Sequence, residues 1–145
     1  MTTTNTRITA RERNEAVWNQ AAVALYAGRI DEYVAYWQPD GRYEVAYPIG
    51  NMPAAVEGHD AIEQLFRAFG AAATSIAVHD VRFHQTDDPE VAFVEERMVA
   101  ELRDGGRYEN RLVLRATFRD GLIAELFEYY GERAHADMLG RLGLA

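Results

Sequence analysis

Three tight turns constrain this chain more than any other feature. Thr86-Asp87-Asp88-Pro89, Asp104-Gly105-Gly106 and Asp120-Gly121 each separate two long stretches in which apolar and polar residues alternate. Alternation with a period of two marks a half-buried strand, and Asp-Gly pairs favour hairpins because glycine accepts the positive φ these turns need. Residues 76–84, 91–103, 108–119 and 122–130 are therefore expected to form an antiparallel meander. Long strands with one apolar face must be covered, so the first half of the chain has to supply the cover.

That half reads as helices. Thr9-Ala10-Arg11-Glu12 has the form of a capping box. Val17, Trp18, Ala21, Ala22, Leu25 and Tyr26 then recur at helical spacing, and Gly28 supplies the stop. A short second helix from Asp31 carries Tyr33, Val34 and Trp37 and breaks at the turn Gln38-Pro39-Asp40-Gly41. Residues 42–47 alternate as a first strand, and 48–53 form a loop. A third helix over 60–69 sets Ile62, Leu65, Phe66 and Phe69 on one stripe, and a last one covers 132–142. Helices followed by an antiparallel sheet give an α+β fold: a cone-shaped curved sheet packed on N-terminal helices, its open end available to a ligand. With 145 residues, 48% of them apolar, the chain fits a single domain over 1–145, with 1–8 expected as a disordered tail.

Composition removes several chemistries. There is no cysteine, hence no disulfide, thiolate metal site or cysteine nucleophile. All 15 basic residues are arginine, so Schiff-base chemistry on lysine is excluded. Ser75 is the only serine, and no phosphate loop or dinucleotide-binding glycine motif occurs, so no cofactor is expected. The four histidines lack metal-ligand spacing, so no metal is expected either. A net charge of −8 argues against nucleic-acid and anionic-membrane partners, and the start of the chain lacks an apolar export signal, so a cytoplasmic location is expected.

Sorting the strands by alternation leaves four polar side chains on otherwise apolar inward faces: His79, Glu96, Asn110 and Glu128. A few converging polar groups on apolar walls describe a small-molecule pocket. Glu128 is the leading candidate for acid–base catalysis, because an apolar setting raises a carboxyl pKa towards neutrality. His79 could shuttle a proton, and Asn110 could orient a carbonyl. Alternatively, Asn110 and Glu96 could simply pair across adjacent strands. His59 reads as an exposed helix-start residue and His84 as an outer-face one. Tyr43 and Tyr47 share a face of the first strand and could donate to a developing enolate. The remaining pocket wall is expected to include Trp37, Leu65, Phe66 and Met98, together with Leu112, Leu126 and Tyr130, and its depth to be set by loops 48–56 and 131–136. On the opposite sheet face, Val99 and Val113 among mixed charges suit a homodimer contact.

Several words in the chain carry a family resemblance: Trp37-Gln38-Pro39-Asp40, Val56-Glu57-Gly58-His59-Asp60-Ala61-Ile62, Tyr108-Glu109-Asn110-Arg111, and Asp120-Gly121-Leu122-Ile123 leading into Phe127-Glu128-Tyr129. Over about residues 14–138 the chain resembles the nuclear transport factor 2-like superfamily, in particular its SnoaL-like polyketide cyclase branch. Thr86-Asp87-Asp88-Pro89 with Tyr108-Glu109-Asn110 is most similar to the phenazine-biosynthesis A/B proteins. That resemblance implies a functional glutamate at Glu128, whereas the third-helix histidine of those proteins falls on Leu65 here. The superfamily holds isomerases, dehydratases, aldol-type cyclases, epoxide hydrolases and non-catalytic binding modules.

The resulting expectation is a cofactor-independent cyclase or isomerase acting on a hydrophobic, polyketide-like intermediate. It would work by acid–base catalysis or by folding a polyene for ring closure, including a [4+2] cyclisation. Ketosteroid-isomerase-like proton transfer and phenazine-type condensation are alternatives, the former weakened by the lack of inward aspartates. A non-catalytic binding module is a third.

Overall fold

The computed structural model describes residues 8–141 and Gly143. The elements follow in the order α1 (Ala10–Tyr26), α2 (Ile30–Ala35), β1 (Trp37–Val45), β2 (Ala55–Glu57), α3 (His59–Ala72), β3 (Ala73–Gln85), β4 (Val91–Leu102), β5 (Arg107–Arg119), β6 (Leu122–Tyr130) and α4 (Glu132–Arg141). Most of the expected tail, residues 1–7, and the expected helix end at 142 lie outside the described residues.

The strands form one curved, unclosed sheet in the order β2-β1-β6-β5-β4-β3. The meander from β3 to β6 is antiparallel throughout, as the turns require. The pairing of β1 with β6 is parallel, which the expectation of a purely antiparallel sheet missed. Trp37 is not the last residue of a helix but the first of β1, where it pairs with Ile123; Arg42 then pairs with Glu125, so Gln38 to Gly41 bulge out of the ladder. Gly41 is required there, since a Cβ would lie 2.6 Å from the Trp37 ring.

The helices cover the inward face. The capping box forms as read: Glu12 N donates to Thr9 Oγ1 at 3.1 Å and Thr9 N donates to Glu12 Oε2 at 3.4 Å. Asn14, buried on α1, donates through Nδ2 to Pro89 O at 3.0 Å, and Arg11 donates to the Thr86 and Asp87 carbonyls at 2.9 Å. These bonds tie α1 to the β3–β4 hairpin. The main core joins Trp18 and Ala21 of α1, Tyr33 of α2, Trp37, Ile62 of α3 and the inward residues Val94, Leu112, Ala116 and Leu126. A second cluster of Ala100, Leu102, Tyr108, Met138 and Leu139 seats α4.

Two β-bulges shift faces that simple alternation assigns wrongly. In β3, His79 pairs with Arg97 and Arg82 with Glu95, so Asp80 and Val81 together oppose Glu96. Asp80 takes a left-handed φ of 56° to make that bulge. The inward residues before it are Ile76 and Val78, rather than Ala77 and His79; Phe83 is inward after it. In β6, the ladder slips at Ala124, which turns Ile123 fully inward in place of Leu122 and Ala124.

Candidate functional site

A cavity of about 510 Å³ lies between the helices and the concave sheet face. Its inner wall is buried and apolar, with Ala21, Ile30, Leu114, Ile123 and Leu126 contributing. Its exposed rim is built by Ala27 and Gly28 after α1, Arg67, Gly70 and Ala71 at the end of α3, and Thr74 and Ser75 at the start of β3. The mouth is thus bounded by the α1–α2 junction and the α3–β3 junction, and not by loops 48–56 and 131–136. At that other end, Ile49, Met52 and α4 pack onto the second core cluster and close the cone.

Two carboxyl groups reach into the cavity. Glu96 (β4) lies opposite Leu112 of β5, and Glu128 (β6) lies opposite Leu114, so one strand separates them on a common face. Each is held by a tyrosine, one from a covering helix and one from the neighbouring strand. Tyr26, at the end of α1, donates to Glu96 Oε1 at 3.2 Å. Tyr43 of β1 donates to Glu128 Oε2. Desolvation pushes both carboxyls up to about 7, while the tyrosine bond partly offsets it in each case; the charge of Glu96 adds to the rise at Glu128. Burial raises the phenols of Tyr26, Tyr33 and Tyr43 well above their ordinary range, so all three stay protonated. Tyr33, Tyr43 and Phe66 form an edge-to-face aromatic wall, with ring centroids 5.0 Å (Tyr33–Phe66) and 5.5 Å (Tyr43–Phe66) apart.

A sequence family model described as a SnoaL-like domain matches residues 17–126, most of the chain and most of the cavity wall. The chain belongs to the SnoaL-like domain family. No curated protein matches it. Among solved structures, this SnoaL-like domain is similar to a Bacillus subtilis protein described as a provisional isomerase, with a TM-score of 0.84 and 14% identity over 92% of this chain and 96% of that one. It is similar to a phenazine biosynthesis-related protein of Pseudomonas aeruginosa, with a TM-score of 0.74 and 16% identity over 97% and 88% of the two chains. A third is a provisional polyketide cyclase of Xanthomonas campestris, with a TM-score of 0.78 and 15% identity over 90% and 99%. These likenesses establish a common fold.

The SnoaL-like cavity gathers six of the expected residues: Tyr43, Phe66, Glu96, Met98, Leu126 and Glu128. The others stand elsewhere. His79 is exposed on the outer face, because the bulge at Asp80 reverses the alternation that placed it inside. Asn110 is buried but fully engaged: Nδ2 donates to Tyr108 Oη and to Gly131 O, and Oδ1 accepts from Gly131 N, all at 2.9 Å. It opposes Met98 rather than Glu96, so the expected Asn110–Glu96 pair does not form. Asn110 is a clamp between β5 and the start of α4. Tyr47 lies beyond the end of β1 and is 56% exposed, while its carbonyl accepts from Tyr130 Oη. Trp37, Leu112 and Tyr130 are core residues behind the wall, and Leu65 is half-buried off the cavity-lining stripe of α3. His59 Nε2 bonds to Trp37 O at 2.9 Å and anchors the start of α3; His84 pairs with Glu95 on the outer face.

Tyr26 and Tyr33 are the site residues that sequence reasoning absorbed into the core. Their signal was available: each is a tyrosine rather than a phenylalanine at a helix position facing a strand with an inward glutamate, and a buried phenol needs a partner. His135 escaped notice altogether. It is buried in α4, stacked on Tyr130 at 4.3 Å, and burial lowers its pKa, but it lies with the second cluster, outside the cavity.

Proposed function

We propose that this SnoaL-like chain is a cofactor-independent cyclase or isomerase acting on a hydrophobic, polyketide-like intermediate, with Glu128 as the group that moves the proton. The observation that carries this reading is a carboxyl raised to about 7, paired with a buried phenol, on the wall of an apolar cavity large enough for a small polycyclic molecule. Ionised Glu128 takes a proton from a carbon next to a carbonyl; the C–H bond breaks and its electron pair moves onto the carbonyl oxygen. The carboxyl loses its charge as it accepts the proton, which frees the Tyr43 hydroxyl to donate to the enolate oxygen. The proton then returns, to another carbon in an isomerisation or to the oxygen formed when the enolate attacks a second carbonyl in a ring closure. Membership of the SnoaL-like family and the fold shared with a provisional polyketide cyclase support this assignment.

The same reading extends to a homodimer through the outer sheet face. There Phe93, Val113 and Tyr129 are each more than a third exposed, beside Arg115, which stacks 4.9 Å over Phe127. Light scattering at micromolar concentration is expected to return twice the 16.4 kDa chain mass.

The deciding experiment incubates the protein in deuterated water with a panel of polyketide-like ketones and polyenes, following deuterium uptake and new products by mass. Turnover with deuterium uptake that disappears in Glu128→Gln is the expected result. Turnover kept in Glu128→Gln but lost in Ala22→Phe, which fills the cavity, would replace proton transfer with shape-driven ring closure. Saturable binding with no turnover of any compound would make the chain a binding module.

A further inference from the structure

The cavity wall carries more hydrogen-bond acceptors than free donors: the indole N–H of Trp18, unpartnered among the described residues, stands against the oxygens of two carboxyls and three phenols. Tyr26 and Tyr43 spend their protons on Glu96 and Glu128, so their phenol oxygens present lone pairs to the cavity. Each carboxyl uses one oxygen on its tyrosine; Glu96 Oε2 and Glu128 Oε1 bond to no protein group among the described residues. The Tyr33 hydroxyl can give or accept. Among the described residues, no positive charge opposes the two carboxyls from within: the basic side chain on the wall is Arg67 at the rim, and it is paired with Glu63 at 2.7 Å.

The two carboxyls are not equivalent. Glu128 faces the Tyr43–Phe66 side. Glu96 is more than nine-tenths buried and carries Tyr26 on one oxygen; both carboxyl charges reach the Tyr33 phenol, that of Glu96 more strongly. A buried carboxyl with one bare oxygen, aromatic faces beside it and no cation nearby is chemically incomplete. The group that completes it is a cation with N–H donors: it pairs with the carboxylate, donates to the phenol lone pairs and rests against the rings. Gly28 and Ser75 stand at the rim above this seat, where Arg67 is already neutralised by Glu63.

We infer that the substrate of this cavity carries a basic nitrogen, held as an ammonium by Glu96 and Tyr26 against the Tyr33 ring, while Glu128 remains free for the reacting carbon. The inference rests on the cavity being the reaction site, as proposed above, and adds that Glu96 is a specificity residue rather than a second base. An apolar ketone with an amine in reach of Glu96 fits; its carboxylate counterpart is rejected by both glutamates.

Three naphthalene probes of matched shape test it: 2-(1-naphthyl)ethylamine, 2-(1-naphthyl)ethanol and 1-naphthylacetate, titrated calorimetrically at pH 8 in high salt. The amine is expected to bind roughly tenfold or more tighter than the alcohol, the increment of a charge-assisted hydrogen bond, and the carboxylate weakest of all. Glu96→Gln should abolish the amine's advantage over the alcohol, whereas Glu128→Gln should keep most of that advantage. Amine affinity should also fall as pH drops through about 7, where Glu96 protonates. Equal binding of amine and alcohol, or a preference that survives Glu96→Gln, would overturn the inference. Absence of turnover by the unaltered protein, with an intact amine preference, would instead count against the proton-transfer reading alone, so the two failures are separable.

Discussion

Glu96 and Glu128 stand on the same concave face with a single strand between them, their ladder partners Leu112 and Leu114 only two residues apart. Neighbouring strands are about 4.8 Å apart, so the two backbones are roughly 10 Å from each other, a span that one small substrate can bridge. The arrangement follows from register: a one-residue slip of β6 against β5 would turn Glu128 to solvent.

Because Glu128 acts as a base in this reading, turnover should rise with pH through about 7 and level off above it. A pH profile of kcat/KM checks this. A rate that is flat between pH 5 and 9 would remove Glu128 from the chemistry.

Tyr43→Phe should move that profile to higher pH. The phenol bond favours the ionised carboxyl and holds its pKa down, so its loss lets desolvation act unopposed. Carbon-detected NMR of the Glu128 side-chain carboxyl gives the shift directly. A downward movement would mean that the hydroxyl stabilises the protonated form instead.

Stability should fall as pH rises from 5 to 8. Both carboxyls ionise near 4.5 when unfolded and near 7 when folded, so the unfolded chain releases their protons first. At 1.36 kcal/mol per pKa unit, each contributes on the order of 3 kcal/mol that is fully present below pH 4.5 and lost through pH 7. Urea melts of Glu96→Gln and Glu128→Gln should be flatter over this range. His135 has the opposite sign: burial lowers its pKa, so its contribution is present above its ordinary 6.5 and is lost on acidification. His135→Phe should therefore lessen any acid instability.

Gly131→Ala should destabilise the junction of β6 and α4. An added Cβ would sit 2.5 Å from Asn110 Oδ1, displacing the amide that binds both Gly131 backbone groups and Tyr108. Breaking a buried bond of this type costs about 1–3 kcal/mol. Thermal melting quantifies the cost, and hydrogen exchange should localise it to α4. Unchanged protection there would show that the clamp is not what seats the helix.

Much of this molecule was legible before folding. The three turns set the meander, the capping box set the start of α1, and the strand faces of β4 and β5 follow alternation without exception. Glu96 and Glu128 could be picked out for the same reason: each interrupts an apolar face. His79 failed because alternation carries no marker for a bulge; a non-glycine left-handed residue, Asp80, resets the phase with only a weak compositional signal. Ile123 was misplaced by the slip at Ala124 in the same way. The helix residues Tyr26 and Tyr33 were read as packing because a helical aromatic stripe looks alike whether it meets a core or a cavity. The cavity mouth depends on how α1 and α3 end relative to β3, a long-range relation that no local pattern encodes.

The parallel pairing of β1 with β6 has a consequence for how the protein is made. β6 is the last strand to leave the ribosome, yet it is the strand that joins β1–β2 to the rest of the sheet, and it bears Glu128. Until it inserts, Tyr43 has no Glu128 to meet and the β1–β2 pair has no strand of the meander to join. Synthesis should therefore end in one late step that joins the two parts of the sheet and brings Tyr43 and Glu128 together. A stalled chain ending before residue 122 should lack both the β1–β6 junction and the Tyr43–Glu128 pair, while the β3–β5 meander can already pair.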